Sequence, residues 1–150
     1  MMYDVLLFTH SWLRWVVLIL ALINIYKSFV GNKGSIPYGK GEKGLAGAFV
    51  GCLHLTFVLG LILYFISPFA YQAFGGSESV MKNATLRFWA VEHAFVMILA
   101  IAAASIGKAK AKRAESDPEK FKAQLIFFSI ALVLMLSRIP WGETGRLFRF

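Results

Sequence analysis

The chain has 150 residues, of which 58% are hydrophobic and only 16% charged. Soluble domains carry charge on about a quarter of their residues, so this balance excludes an ordinary soluble domain and points to an integral membrane protein. Lys and Arg number 16 against 8 Asp and Glu, a formal net charge of +8, and the placement of those cations decides what the excess means.

The apolar residues fall into four blocks, about Val5 to Tyr26, Leu45 to Ile66, Leu86 to Ile106 and Ala123 to Ile139. Each is near the ~20 residues that cross ~30 Å of hydrocarbon as a helix. Strand alternation is absent, and a membrane obliges the backbone to satisfy its own hydrogen bonds, so the blocks are read as helices. The expected fold is all-α: a single domain over 1–150, an up-down-up-down four-helix transmembrane bundle with helices at about 5–26, 45–66, 86–106 and 121–139.

Met1-Met2-Tyr3-Asp4 lacks a basic leader, and no small-residue cleavage site follows the first block. That block is therefore expected to remain as a span rather than leave as a signal peptide. Along it His10, Arg14, Val17, Ala21, Asn24 and Ser28 recur at spacings of three and four, a stripe expected to face the bundle interior. The second block puts Gly47, Gly51 and His54 on a face expected to point the same way. Its Gly47-Ala48-Phe49-Val50-Gly51 matches the small-x-x-x-small pattern of close helix approach, and Pro68 ends it. Gly75-Gly76-Ser77 marks the following loop, and Asn83 is placed to cap the third helix.

The third block lines up His93, Val96, Ala100, Ala103 and Gly107 on one narrow face. Ser116-Asp117-Pro118-Glu119 supplies an N-cap, a first-turn proline and a capping-box glutamate for the fourth helix, which Pro140-Trp141-Gly142 stops. Trp12, Trp15, Trp89 and Trp141 all fall in the outer half, and Trp89 and Trp141 are read first as interfacial anchors. Cys52 is the single cysteine, so it forms no intrachain disulfide and suggests no cysteine metal site.

Lys27, Lys33, Lys40 and Lys43 flank the first loop, and Lys108, Lys110, Lys112, Arg113, Lys120 and Lys122 the third. The other side holds Lys82, Arg87, Arg138, Arg146 and Arg149. Positive charge collects on the cytoplasmic side, so both termini are expected outside, on the periplasmic face of a bacterial inner membrane. The charge excess is thus a topological signal with some attraction to anionic lipid, and no nucleic-acid partner is expected.

Ionisable side chains inside a bilayer are costly and are functional candidates by default. Counted from Lys27, Lys43, Lys108 and Lys122 taken as level, His10 stands 17 residues up, His93 15, Glu92 16, Arg138 16, Arg14 13 and His54 11. His54 therefore lies roughly 6–9 Å below the other two histidines at ~1.5 Å per residue. Helices one and three are diagonal in such a bundle, so His10 and His93 face each other at one height, the arrangement of two axial nitrogens that a low-spin b-type haem needs.

Arg138 and Arg87 are then the cations for its propionates, while Arg14 balances Glu92 or bonds a ring or carboxylate deeper down. Gly60, also 17 residues up, leaves room for the ring edge if it faces inward. Gly60 and His54 are about 120° apart at 3.6 residues per turn, so they cannot both point at the axis. His54 is read as a structural or supporting group, with a His54–His93 pairing open if the second helix sits higher. A structural account stands beside all this: a buried histidine often only bridges helices, and an Arg–Glu pair can fix register alone.

Three segments, Leu7-Phe8-Thr9-His10-Ser11-Trp12-Leu13-Arg14-Trp15, Leu53-His54-Leu55 with Gly60-Leu61-Ile62-Leu63-Tyr64-Phe65, and Leu86-Arg87-Phe88-Trp89-Ala90-Val91-Glu92-His93, resemble small bacterial four-helix inner-membrane proteins labelled cytochrome b. The resemblance spans nearly the whole chain and implies a haem b protein of respiratory or redox type, without naming its electron partner. Diheme cytochromes usually carry four ligand histidines, so three allow one bis-histidine haem at most. No nucleophile motif or catalytic carboxylate pair is present, so a non-catalytic electron relay, working with a partner membrane or redox protein, is the leading expectation. A haem-free accessory subunit of a larger complex is the second, and a quinone-binding or proton-relay protein built on Glu92, Arg14 and the histidines is the third. A homo-oligomer is compatible with each.

Overall fold

A computed structural model describes residues 1–148 as helices and turns, with no strand among them. Four helices carry the architecture: α1 (Met2–Gly31), α2 (Lys40–Ile66), α3 (Ala84–Arg113) and α4 (Asp117–Ser137). All four are long and apolar enough to cross a membrane. A 3-10 turn (Tyr71–Gly75) follows α2, and a short helix, α5 (Thr144–Leu147), follows α4. Of the cations counted for orientation, Arg149 lies outside the described residues.

The helices outrun the apolar blocks at the lysine-rich end, where α1 reaches Gly31, α2 begins at Lys40 and α3 runs to Arg113. Apolar residues mark the hydrocarbon, whereas Lys, Arg and Glu are good helix formers and continue the helices into water. Caps match the sequence where it supplied them. Asn83 Oδ1 accepts from Leu86 N at 3.0 Å, and Ser116 and Glu119 form the reciprocal capping box that opens α4.

Helix α1 packs on α2 and α4, and α3 packs on α4 and more lightly on α2, so α1 and α3 stand diagonally. Outside, Val16, Ile19, Leu55, Val58, Ile98 and Val133 are exposed, an exterior suited to lipid rather than water. Inside, Ala21, Ala46, Ala100, Ala104 and Ala131 are fully or almost fully buried around the Phe49–Phe128 edge contact at 4.9 Å. Lipid gives apolar helices little hydrophobic reason to associate, so close van der Waals packing of small residues holds them together.

The lysine-rich end is closed by polar contacts. Lys27 pairs with Glu42 at 2.7 Å, Tyr38 N donates to Asp117 at 3.1 Å, and buried Gln124 donates to the Tyr38 hydroxyl. Burial pushes the Tyr38 phenol above its usual range, opposed by the Gln124 bond, so it serves there as a neutral group.

The small-residue reading holds on α3 and fails on α2. A Cβ at Gly107 would lie 2.6 Å from Phe127 Cβ, and one at Gly51 would meet nothing within 4 Å. The buried face of α2 is Ala46, Phe49, Val50 and Leu53, while Gly51 and His54 are exposed. Both sides of this helix are apolar, so hydropathy does not separate core from lipid, and the fit of Phe49 against Phe128 sets the rotation. Gly107→Ala is accordingly expected to cost ~1–3 kcal/mol by overpacking. Gly51→Ala is expected to be neutral or to stabilise by up to ~1 kcal/mol through helix propensity. Denaturation midpoints of the two variants in detergent, followed by circular dichroism, check the contrast.

Candidate cofactor-binding site

A cavity of about 370 Å³ opens between the helices toward the end that carries both termini, and His10, Arg14, Gly60, Trp89, His93 and Arg146 are among its walls. It also takes Leu53, Phe57, Met97 and Ile101, so its body is apolar and its polar groups are few. Volume and lining are those of a small-molecule or cofactor site, typically ~300–1,000 Å³.

The two histidines are oriented by backbone carbonyls of neighbouring helices. His10 Nδ1 lies 3.0 Å from the Thr56 carbonyl on α2, and His93 Nδ1 lies 2.9 Å from the Arg138 carbonyl at the end of α4. A carbonyl only accepts, so Nδ1 carries the proton in each ring and Nε2 keeps its lone pair. Metal-ligating histidines are held in this way: the outer N–H is tied to an oxygen, which fixes the tautomer and the ring plane. Sequence depth counting placed these two rings at one level on diagonal helices, and both line the one cavity.

His54 behaves otherwise. Its Nδ1 bonds the Val50 carbonyl of its own helix at 2.7 Å, and the ring is exposed on the bundle exterior. It lies outside the cavity lining, so a His54–His93 pairing is not made here. Gly60 is the inward position of that pair. A Cβ there would stand 3.0 Å from His10 Cε1, so the space this glycine opens is taken by the His10 imidazole rather than left for a macrocycle edge.

Glu92, Arg87 and Arg138 come together but do not line the cavity. Arg87 Nε bonds Glu92 at 3.0 Å, and Arg138 Nε approaches it at 3.7 Å. Arg87 also donates to the Met81 carbonyl and Arg138 to the Ser137 carbonyl. None of the three side chains is in the cavity lining. The expectation that Arg87 and Arg138 face a ligand's carboxylates is therefore not met: both turn to Glu92 instead of the cavity.

A single π turn, Phe88–Glu92, interrupts α3 immediately before His93, whose N–H reaches back to Phe88. The extra residue shifts everything before it around the helix axis. The Tyr64 hydroxyl donates to the Ala90 carbonyl inside that turn at 3.0 Å.

Arg14 does not balance Glu92. It donates to the Arg146 and Leu147 carbonyls at 3.2 and 2.9 Å, and the Trp15 indole N–H donates to the same Leu147 carbonyl at 2.9 Å. Phe148 stacks on Trp15 at 5.1 Å, and Leu147 is buried in the core. The segment after Pro140 thus turns back into the mouth of the bundle and brings in Arg146, whose guanidinium lies over the Trp89 ring at 4.6 Å and pairs with Glu143.

Trp89, read from sequence as an interfacial anchor, instead lines the cavity beside His93, with ring centroids 5.5 Å apart. Trp141 is 51% exposed and fits that anchoring role. The one hint of the returning tail in the sequence is Leu147-Phe148, an apolar pair beyond a helix stop.

No protein-family model matches this chain, and neither a curated protein nor a solved structure matches it.

Proposed function

We propose that this chain is a multi-pass protein of a bacterial inner membrane, with both termini on the periplasmic side, that binds one haem b and relays electrons to a redox partner. The observation that carries the reading is the pair of Nε2 lone pairs on His10 and His93. Both residues line one apolar cavity, and each ring is locked by an Nδ1 bond to a carbonyl from another helix. Two such nitrogens and an apolar surround are the donor set of a bis-histidine haem.

In this reading His10 and His93 hold the iron, and the group supplies one-electron chemistry. The carbonyls of Thr56 and Arg138 keep the ligand nitrogens unprotonated. The apolar walls exclude water, and Arg14 and Arg146 provide positive charge at the mouth.

The visible spectrum of protein purified from haem-replete cells tests the reading. A Soret band with sharp reduced-state bands is the expected result. A colourless protein that does not take up added haem overturns it, and a colourless protein carrying quinone would put a quinone site in its place.

A further inference from the structure

Among the described residues, Arg14 Nε and the Trp89 indole N–H beside the cavity are buried without a hydrogen-bond partner, as are Arg138 Nε and Ser105 Oγ outside its lining. An unsatisfied buried donor is costly, more so when charged, and such groups demand an explanation. Arg14 and Trp89 line the cavity together with His10 and His93, and the Arg146 guanidinium lies over the Trp89 ring.

The rest of Arg14 is committed to the carbonyls of the returning tail, so its Nε edge remains for something else. The geometry points to a carboxylate-receiving subsite at this mouth, formed by Arg14 Nε, the Trp89 N–H and the Arg146 guanidinium, which holds the acid groups of the bound macrocycle. This rests on the haem reading and assigns the carboxylates to a set of residues different from the Arg87 and Arg138 expected from sequence. Those two arginines face Glu92 and do not line the cavity, whereas Arg14 lines it with no carboxylate partner among the described residues, and Arg146 lines it too and would exchange its Glu143 partner for the ligand's carboxylate. An arginine and an indole donor are suited to an anionic oxygen, because charge-assisted bonds are the strong ones.

The test compares haem b with its dimethyl ester, in which both carboxylates are masked, by titrating haem-free protein in detergent and reading the Soret band. Wild type is expected to bind the free acid about tenfold to a hundredfold more tightly, the range for one lost charged hydrogen bond, with the same low-spin spectrum for both. Arg14→Gln, Trp89→Phe and Arg146→Gln are expected to shrink that preference while still giving a bis-histidine spectrum.

Equal affinity for acid and ester overturns the subsite and leaves the haem reading standing. Loss of the preference in Arg87→Gln or Arg138→Gln, but not in Arg14→Gln, overturns it in favour of the other arginines. Failure to bind either pigment overturns the haem reading itself. The ester comparison needs no variant, so a destabilised arginine substitution does not blunt it.

Discussion

Replacing His93 with alanine is expected to abolish six-coordinate low-spin haem and to lower haem affinity by more than about a hundredfold, and His10→Ala is expected to do the same. Loss of a group that merely orients a metal ligand typically costs ~10–100-fold in affinity, and loss of the ligand itself exceeds that. The effect should be symmetric, because each ring donates its Nδ1–H to a carbonyl of another helix, Thr56 for His10 and Arg138 for His93, and both residues line the same cavity.

His54→Ala is the informative control. Its ring is exposed, bonded to its own helix and absent from the cavity lining, so the spectrum should not change. Loss of the low-spin spectrum in His54→Ala, or full haem retention in the His10→Ala, His93→Ala double variant, would overturn the assignment. Spectra and titrations on the same preparations decide it.

The sequence count from lysine anchors, at ~1.5 Å per residue, paired His10 with His93 and set His54 apart, and in the structure the first two line one cavity while His54 is exposed outside it. Rotation about the helix axis was only partly legible. Rotation is read from polar stripes, which worked on α1, where Val17, Ala21, Asn24 and Ser28 are all buried. It failed on α2, whose lipid face and core face are equally apolar. There the conflict between Gly60 and His54 was visible in the spacing, and packing resolved it for Gly60.

For Glu92, Arg87 and Arg138 the obstacle was local backbone. No residue pattern announces the π turn Phe88–Glu92, and a single extra residue reorients its neighbours. The folded-back tail was hidden for another reason. Its anchors are backbone carbonyls of Arg146 and Leu147 taken by Arg14 and Trp15, and a carbonyl has no signature in a sequence.

Ending the chain after Gly142 is expected to lower the thermal midpoint and to open the cavity while leaving the four-helix bundle intact. Leu147 is the one residue beyond Gly142 in the buried core that holds Val17, Ala21, Phe49, Phe128 and Ala131, and the rest of that core comes from the four helices and Ile139, so helical content should persist. What is lost is the burial of Leu147, worth ~1.5–3 kcal/mol, and the carbonyl partners of the Arg14 guanidinium, worth another ~1.5–3 kcal/mol. Together these correspond to a fall of roughly 10–20 °C for a chain of this size.

Removal of Phe148 and Arg146 also uncovers Trp15 and Trp89, so acrylamide should quench the tryptophan fluorescence more strongly than in the full chain. A melting curve and a quenching titration in the same detergent check both effects, and an unchanged midpoint with unchanged quenching would refute the clasp. The stranded arginine gives a sharper version. If part of the loss comes from a guanidinium left without partners, Arg14→Leu should destabilise the full chain, where it removes made bonds, and recover stability in the shortened chain, where it removes an unpaired charge. Opposite signs in the two backgrounds would separate the electrostatic role of the tail from its packing role.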